Sequence, residues 1–329
     1  MNTQTGTTNE SYDVVICARN NVGILGATLD HVRHQTLAPV LCTVVDGRST
    51  DGTPELVRNS YPWAEVVIKE KDDGPASSRN IGARQGGSEF ILFLDSDVAL
   101  DPCWAEEQVA FLRRDPDCAA SCGRLVYAKD PGRTYATSGA LNRYGVAWEH
   151  GRGATAASFD QPSRCLWCAT AAMLMRRNVF QEIGGFDEVM FAIHEDADIG
   201  WRMNLFGYSV YYNPAATAKH EVHGTINLST MTSPRIARLA FRNRFRSMLM
   251  NYEWPQLIRY FAVHLVLFLG QTLYRQPRKA RLQALGWNIL NLRDTWRRRR
   301  FVQAGRRRRD RDLWPLFEPG LSGPGYHYE

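Results

Sequence analysis

Two acidic clusters carry most of the chemistry that residue types alone suggest. Asp95 and Asp97 bracket Ser96 directly after Phe90-Ile91-Leu92-Phe93-Leu94, an unbroken apolar run of the kind buried on both faces of a parallel sheet. Two carboxylates one residue apart at a strand end suit a hard divalent cation, Mg²⁺ or Mn²⁺, that keeps positions open for phosphate oxygens. The alternative is a solvated turn with Asp97 as a cap. Glu195 and Asp196 open a helical stretch and stand ~100° apart around its axis, so they cannot both face one substrate group equally as a general base. Without a substrate, Asp196 reads as an N-cap. Asp198 and Arg202, at i and i+4, read as an ion pair on the helix surface. Trp167 suits stacking on a ligand or a place in the core.

These groups need a scaffold that brings strand ends together. Residues 14–18, 40–45, 66–68 and 90–94 read as strands, the second stopping at Asp46. Helices follow them up to about Gln35, from Thr53-Pro54, over 75–86, and from Asp101-Pro102 to about Arg114, two of them opened by a cap-plus-proline signal. Four βα units in series predict an α/β fold with an open, mostly parallel central sheet flanked by helices. Ligands bind outside the carboxyl ends of such strands, where Asp46, Asp95 and Asp97 converge. From Cys118 to His220 the pattern is mixed, with helices over 178–183 and 196–206 and a short strand at 210–212.

Six motifs in order resemble family 2 glycosyltransferases of the GT-A fold. Val44-Val45-Asp46-Gly47-Arg48-Ser49-Thr50-Asp51-Gly52-Thr53 resembles that family's VVDDGSTDGT, Ser78-Arg79-Asn80-Ile81-Gly82 its aRNxG, and Phe93-Leu94-Asp95-Ser96-Asp97 its fLDxD. Gly184-Gly185-Phe186-Asp187-Glu188 is similar to its GGFDE, Glu195-Asp196-Ala197-Asp198-Ile199 with Arg202 to its EDxDL…R, and the stretch from Gly207-Tyr208 through Pro214 to His220 to its closing segment. The resemblance covers roughly residues 12 to 225. The sequence departs from the pattern at Gly47, where a second Asp is common, and at Cys17, where Pro is common.

The resemblance implies a single-addition, inverting transferase, rhamnosyltransferase-like, that moves a sugar from a UDP, dTDP or GDP donor to a saccharide or lipid-linked acceptor. Carried over by position, Asp196 is the catalytic base and Asp97 and His220 hold Mn²⁺ or Mg²⁺, with His223 as the alternative to His220. Ala18, Asp46, Arg79, Asp95 and Ser96 bind the donor. Trp167, Asp187 and Glu195 are candidates for acceptor binding.

The chain has 329 residues, 44% of them hydrophobic, enough for one large core and an appendage. The organisation expected is a disordered N-terminus (1–11), a GT-A domain (12–227) and a helical, arginine-rich, membrane-associating region (228–329). The polar first ten residues show no secretory signal, and seven cysteines, an odd number, fit reduced cytosolic thiols better than a disulfide framework or zinc site. The net charge of +6 comes from the C-terminus, where Arg297 to Arg300 and Arg306 to Arg309 form two runs. Residues 235–250 read as a basic amphipathic, interfacial helix, and 260–274 as an apolar stretch too short for the roughly 20 residues of a membrane span. The expected location is therefore cytoplasmic, peripheral at the inner face of the membrane, against an anionic lipid surface. No nucleic acid is expected, although an arginine-rich nucleic-acid-binding protein would share the tail. Ala18-Arg19-Asn20-Asn21-Val22-Gly23 is not the glycine-rich turn of a dinucleotide-binding oxidoreductase, and the basic phosphate loop of a sugar nucleotidyltransferase is missing too.

Overall fold

A computed structural model describes residues 11–222 and 233–321. The expected domain boundary at 227/228, His223 and, apart from the buried Ser11, the expected disordered N-terminus lie outside the described residues.

The first half follows the alternation in the sequence. Strands β1 (Tyr12–Ala18), β2 (Leu41–Asp46), β3 (Glu65–Ile68) and β4 (Phe90–Asp95) alternate with helices α1 (Leu25–Arg33), α2 (Thr53–Ser60) and α3 (Pro75–Ala83). β1 pairs in parallel with both β2 and β4, and β2 with β3. Crossover helices cover both faces of β1, β2 and β4, which explains why their apolar runs do not alternate, while the edge strand β3 stays partly exposed. β5 (Val98–Leu100) and α4 (Trp104–Arg113) complete this half.

The second half holds more strand than its sequence suggests. β6 (Cys118–Tyr127), β7 (Asp130–Ala136), β8 (Ser138–Leu141), β9 (Ala147–His150), β10 (Ser163–Cys165) and β11 (Ala172–Arg176) precede the helices α5 (Arg177–Glu182) and α6 (Glu195–Leu205). The strand expected over 210–212 is the start of β12 (Ser209–His220), 12 residues long. Pro214 conceals its length: the register against β6 shifts between Tyr212 and Thr217, and that irregularity tolerates a residue without a backbone donor. The main sheet runs β10-β12-β6-β11-β4-β1-β2-β3, with β8 and β9 forming a separate hairpin.

The C-terminal helices correct several expectations. Helix α7 (Pro234–Asn251) is not an exposed interfacial helix; Leu239, Asn243, Phe245, Arg246, Met248 and Met250 on it are buried. It packs against α6, α9 (Arg278–Leu290) and α10 (Leu292–Gly305). Asp198 and Arg202 do form their ion pair, at 2.8 Å, but in the interior at 1% and 0% exposure rather than on the surface. Ser247 and Asn251 of α7 donate to the same Asp198 carboxylate at 3.1 and 2.9 Å, and Arg202 donates to the carbonyls of Ile183 and Gly185. The Asp198 carboxylate and the Nε and Nη1 of Arg202 thus find partners inside the protein, which is what allows a buried pair, while Arg202 Nη2 has none among the described residues.

The arginine runs are not a free cationic tail either. Arg298 donates to Gly184 O, Arg299 to the carbonyls of Leu249 and Tyr252, and Arg308 to Tyr208 O. Arg306 pairs with Asp310 of α11 (Asp310–Leu313), and Arg307 with Glu182. The helix expected to be too short, α8 (Trp254–Tyr274), is 21 residues long and apolar enough by length and composition to cross a membrane; its first turns, with a π-helical stretch at Leu257–Phe261, lie ahead of the apolar stretch visible in the sequence.

Candidate functional site

The parallel strands end together. Ala18, the last residue of β1, lies in register with Asp46, the last of β2, and Cys17 with Asp95, the last of β4. Ala18 is buried, and its carbonyl accepts from Gly47 N at 2.8 Å. Asp46 is fully buried; one oxygen accepts from Ser49 N at 2.9 Å and the other from the Ser49 hydroxyl. Both oxygens thus hold the β2–α2 loop, a role the motif alone does not reveal. Ser96 is buried as well, its carbonyl taking the Thr28 hydroxyl at 2.9 Å.

Strand pairing brings the distant His220 to the β4 end. It closes β12 and pairs with Val98 of β5, one residue past Asp97. One ligand atom each from Asp95, Asp97 and His220 lies within 4.8 Å of the others, and His220 Nε2 is 3.1 Å from Asp97 Oδ1. Among the described residues the buried His220 Nδ1 has no hydrogen-bond partner. Burial pushes the imidazole pKa down, but the hydrogen bond and charge of Asp97, with the charge of Asp95, outweigh it and leave the pKa raised. Two carboxylates and an imidazole form a donor set that fits Mn²⁺ well and Mg²⁺ less well, because Mg²⁺ prefers oxygen alone. Tyr135 meets the His220 ring edge-on at 4.5 Å, and Arg152 lies 4.9 Å over Tyr135.

Arg79 on α3 joins this cluster to the second acidic pair. Its guanidinium donates to Asp95 at 3.2 Å and to Glu195 at 2.9 Å, and lies 3.9 Å from Asp196. The burial that would weaken its charge is outweighed by these carboxylates, which raise its pKa. Glu195 and Asp196 separate as their helical angle requires. The Glu195 side chain is 8% exposed and turned toward Arg79. Asp196 is 22% exposed and accepts from Thr170 N at 3.1 Å and the Thr170 hydroxyl at 2.7 Å. Each carboxylate oxygen keeps a further lone pair for a substrate proton. Burial and the Asp196 charge push Glu195 up to about 7, and burial raises Asp196 too despite Arg79 and Thr170.

The loop before α6 is strained. Phe191, Ile193 and His194 have φ of 67°, 68° and 76°, in a region costly for such side chains, at ~1–3 kcal/mol each. Asn243 of α7 holds it by donating to the carbonyls of Met190, Ala192 and Ile193 at 2.9, 2.9 and 2.6 Å. Arg242 adds bonds to Val189 O and Met190 O. Gly74, just ahead of α3, has φ +91°, and a Cβ there would stand 2.5 Å from Phe191 O. Asn243, Arg242 and Thr170 escape the sequence reading; the only trace of the first two is their place in a helix with apolar residues on several sides.

Two acceptor candidates have other partners. Asp187 is buried and held by Arg246 at 2.7 and 3.2 Å, and Arg246 also reaches Asp294 and Thr295. Trp167 is buried, with Gly139 against its indole ring, Gly200 against its Cβ, and its indole N–H on Ala140 O at 3.0 Å.

The raised Glu195 gives a signed pH dependence. Its folded pKa of about 7 exceeds its ordinary 4.5, so its stabilising contribution is complete below the ordinary value and lost as pH rises through about 7. Thermal unfolding from about pH 5 to about pH 8 should therefore lower Tm more in the wild type than in Glu195→Gln. Equal slopes in the two proteins would show that Glu195 does not hold its proton in the fold.

Residues 13–184 match the family described as Glycosyl transferase family 2. The chain is 27% identical over 216 residues to a pre-mycofactocin glycosyltransferase of Mycobacterium tuberculosis, covering 66% of this chain but 44% of that one. It is also 27% identical over 216 residues to the N-acetylglucosaminyl-diphospho-decaprenol L-rhamnosyltransferase of the same organism, covering 58% of this chain and 69% of that one. The alignment with the first of these thus spans less than half of the relative's length. Among solved structures the fold is similar to GalNAc-T7 with UDP, GalNAc and Mn²⁺, at TM-score 0.59 and 16% identity over 77% of this chain and 50% of that one. It is likewise similar to Staphylococcus aureus TarS, at TM-score 0.56 and 17% identity over 92% of this chain and 54% of that one. The strand-end carboxylates, Arg79 and the acidic helix start lie within or just beyond the matched region, and with more than half of its length matched the chain belongs to glycosyl transferase family 2.

Proposed function

We propose that the protein transfers a sugar from a nucleoside diphosphate donor, UDP, dTDP or GDP linked, to a hydroxyl of a saccharide or lipid-linked acceptor, with inversion at the anomeric carbon. The observation that carries this reading is the cluster of Asp95, Asp97 and His220 at the strand ends, bridged by Arg79 to the partly exposed Asp196. Asp97 and His220, with Asp95 beside them, would hold Mn²⁺ or Mg²⁺, and the bound cation supplies neutralising charge for the departing diphosphate. Asp196 accepts the acceptor proton as the oxygen attacks the anomeric carbon and the nucleoside diphosphate leaves, a single displacement that inverts the centre. Thr170 fixes the Asp196 carboxylate, and Arg79 keeps Glu195 and Asp95 from repelling it. Similarity to a rhamnosyltransferase favours a deoxyhexosyl donor and an acceptor on a lipid diphosphate, within polysaccharide biosynthesis of the cell envelope.

Peripheral attachment at the cytoplasmic face of a membrane belongs to the same proposal. It is supported by exposed apolar side chains on two neighbouring helices, Val266 and Leu273 of α8 and Leu282 and Ile289 of α9, with exposed Arg275, Arg278 and Lys279 at the turn between them. Cations near an anionic surface contribute about 1 kcal/mol each, and salt screens them.

Two outcomes follow. Asp196→Asn should lower the turnover rate by ~10²–10⁴-fold with nucleotide affinity nearly unchanged; wild-type turnover would move the base elsewhere. In flotation with liposomes of graded anionic lipid, high salt should release part of the protein while the apolar faces retain the rest. Equal binding to neutral and anionic vesicles at both salt concentrations would remove the electrostatic contribution.

A further inference from the structure

A second cleft, of about 370 Å³, opens between the β8–β9 turn, the start of α8 and the segment after Trp314. Arg143, Tyr144, Arg259, Tyr260, Val263 and Phe317 line it, with Glu318 the carboxylate at its edge. Among the described residues neither guanidinium has an ion-pair partner, although Arg143 and Arg259 lie over the rings of Trp314 and Tyr260 at 4.7 and 5.5 Å. The walls are fixed. The Tyr252 hydroxyl donates to Arg143 O at 2.7 Å, Tyr144 meets Tyr260 edge-on at 5.6 Å, and Glu318 N donates to Leu141 O at 2.9 Å. Two cations and two phenols around one opening suit a phosphate group.

The cleft continues into an apolar track. Arg259, Val263, Val266, Gly270 and Leu273 follow one another at helical spacings of three and four, so they share a face of α8. Val266 and Leu273 on that face are 69% and 76% exposed. From Val263 to Leu273 the track is ~15 Å long at 1.5 Å per residue. On the other side, the β8–β9 hairpin leads from the cleft toward the catalytic groups. Gly139 of β8 pairs with Trp167, three residues before the Thr170 that holds Asp196, and Glu149 of β9 pairs with the Arg152 that lies over Tyr135, the ring set against His220.

We propose that this cleft binds the phosphate headgroup of an amphiphile whose hydrocarbon chain lies along α8, and that it seats the lipid-borne end of the acceptor while the sugar end extends along the β8–β9 hairpin to Asp196. The proposal rests on the reading of the acceptor as lipid-linked. A prenyl phosphate and a phospholipid share the required chemistry, an anionic phosphate on an apolar chain.

Titration calorimetry in EDTA, which keeps a diphosphate from binding through a metal at Asp97 and His220, tests it with geranyl diphosphate as probe. The wild type should bind the probe, and the double variant Arg143→Ala/Arg259→Ala should bind it at least roughly tenfold more weakly. Val266→Asp, on an exposed position that leaves the core untouched, should weaken geranyl diphosphate and leave inorganic pyrophosphate unchanged. Undiminished binding of the probe by the double variant would overturn the site, as would pyrophosphate binding as tightly as geranyl diphosphate. Dihexanoyl phosphatidylglycerol binding more tightly than the prenyl probe, and lost in the same variants, would keep the phosphate-amphiphile site but overturn its assignment to the acceptor. Nucleotide binding with Mn²⁺, measured in parallel, separates the two readings: retained in the variants, it leaves the transferase standing while the lipid site fails.

Discussion

One buried guanidinium organises the acidic centre. Asp95, Glu195 and Asp196 come from a strand end and a helix start more than ninety positions apart in the chain, and all three face Arg79. Like charges at such spacing repel strongly where water is excluded, and a single cation among them reverses the sign of the local field. Arg79 is itself confined by α3, whose first turn packs on the loop leading into α6. Asp97 and His220 stand beside Asp95, in the cluster proposed to hold a cation. The arrangement also sorts the neighbours Glu195 and Asp196 into different roles, one turned inward and one at the cleft.

The C-terminal helices belong to this centre rather than standing beside it. Three residues with positive φ directly before the acidic pair would be unstable in an unsupported loop. Asn243 supplies donors to three carbonyls of that loop, Arg246 neutralises Asp187, and Ser247 and Asn251 complete the shell around Asp198. A single helix, α7, therefore anchors the start, the middle and the first turn of the segment that presents Asp196. The same helices carry apolar side chains outward on α8 and α9, so the elements proposed to meet lipid are packed directly on the elements that hold Asp196.

Much of the fold and the ligand cluster is legible in the sequence, for physical reasons. The runs at β1, β2 and β4 are apolar throughout because both faces are covered, and strands of that kind end in a shared edge, so Asp46, Asp95 and Asp97 fall together. What composition could not show is partnership. Asp198 and Arg202 look like a surface pair because i,i+4 spacing is the same buried or exposed. Eight arginines in two runs look like a tail, yet six of them bind carbonyls or carboxylates of the same chain. Asp187 and Trp167 have the residue types of a sugar site but satisfy their polar groups within the fold. Strand β12 is masked by Pro214, and α8 begins ahead of its most apolar stretch.

Metal-assisted handling of a nucleoside diphosphate is the central claim, and Asp97 is its most direct probe. UDP, dTDP and GDP should be titrated calorimetrically with Mn²⁺ or with EDTA against the wild type and Asp97→Ala, with thermal unfolding as a control for the fold. At least one nucleotide should bind the wild type only with the metal, and Asp97→Ala should lose that binding while keeping its unfolding midpoint within a few degrees. Nucleotide binding by Asp97→Ala equal to that of the wild type, with and without EDTA, would contradict the claim.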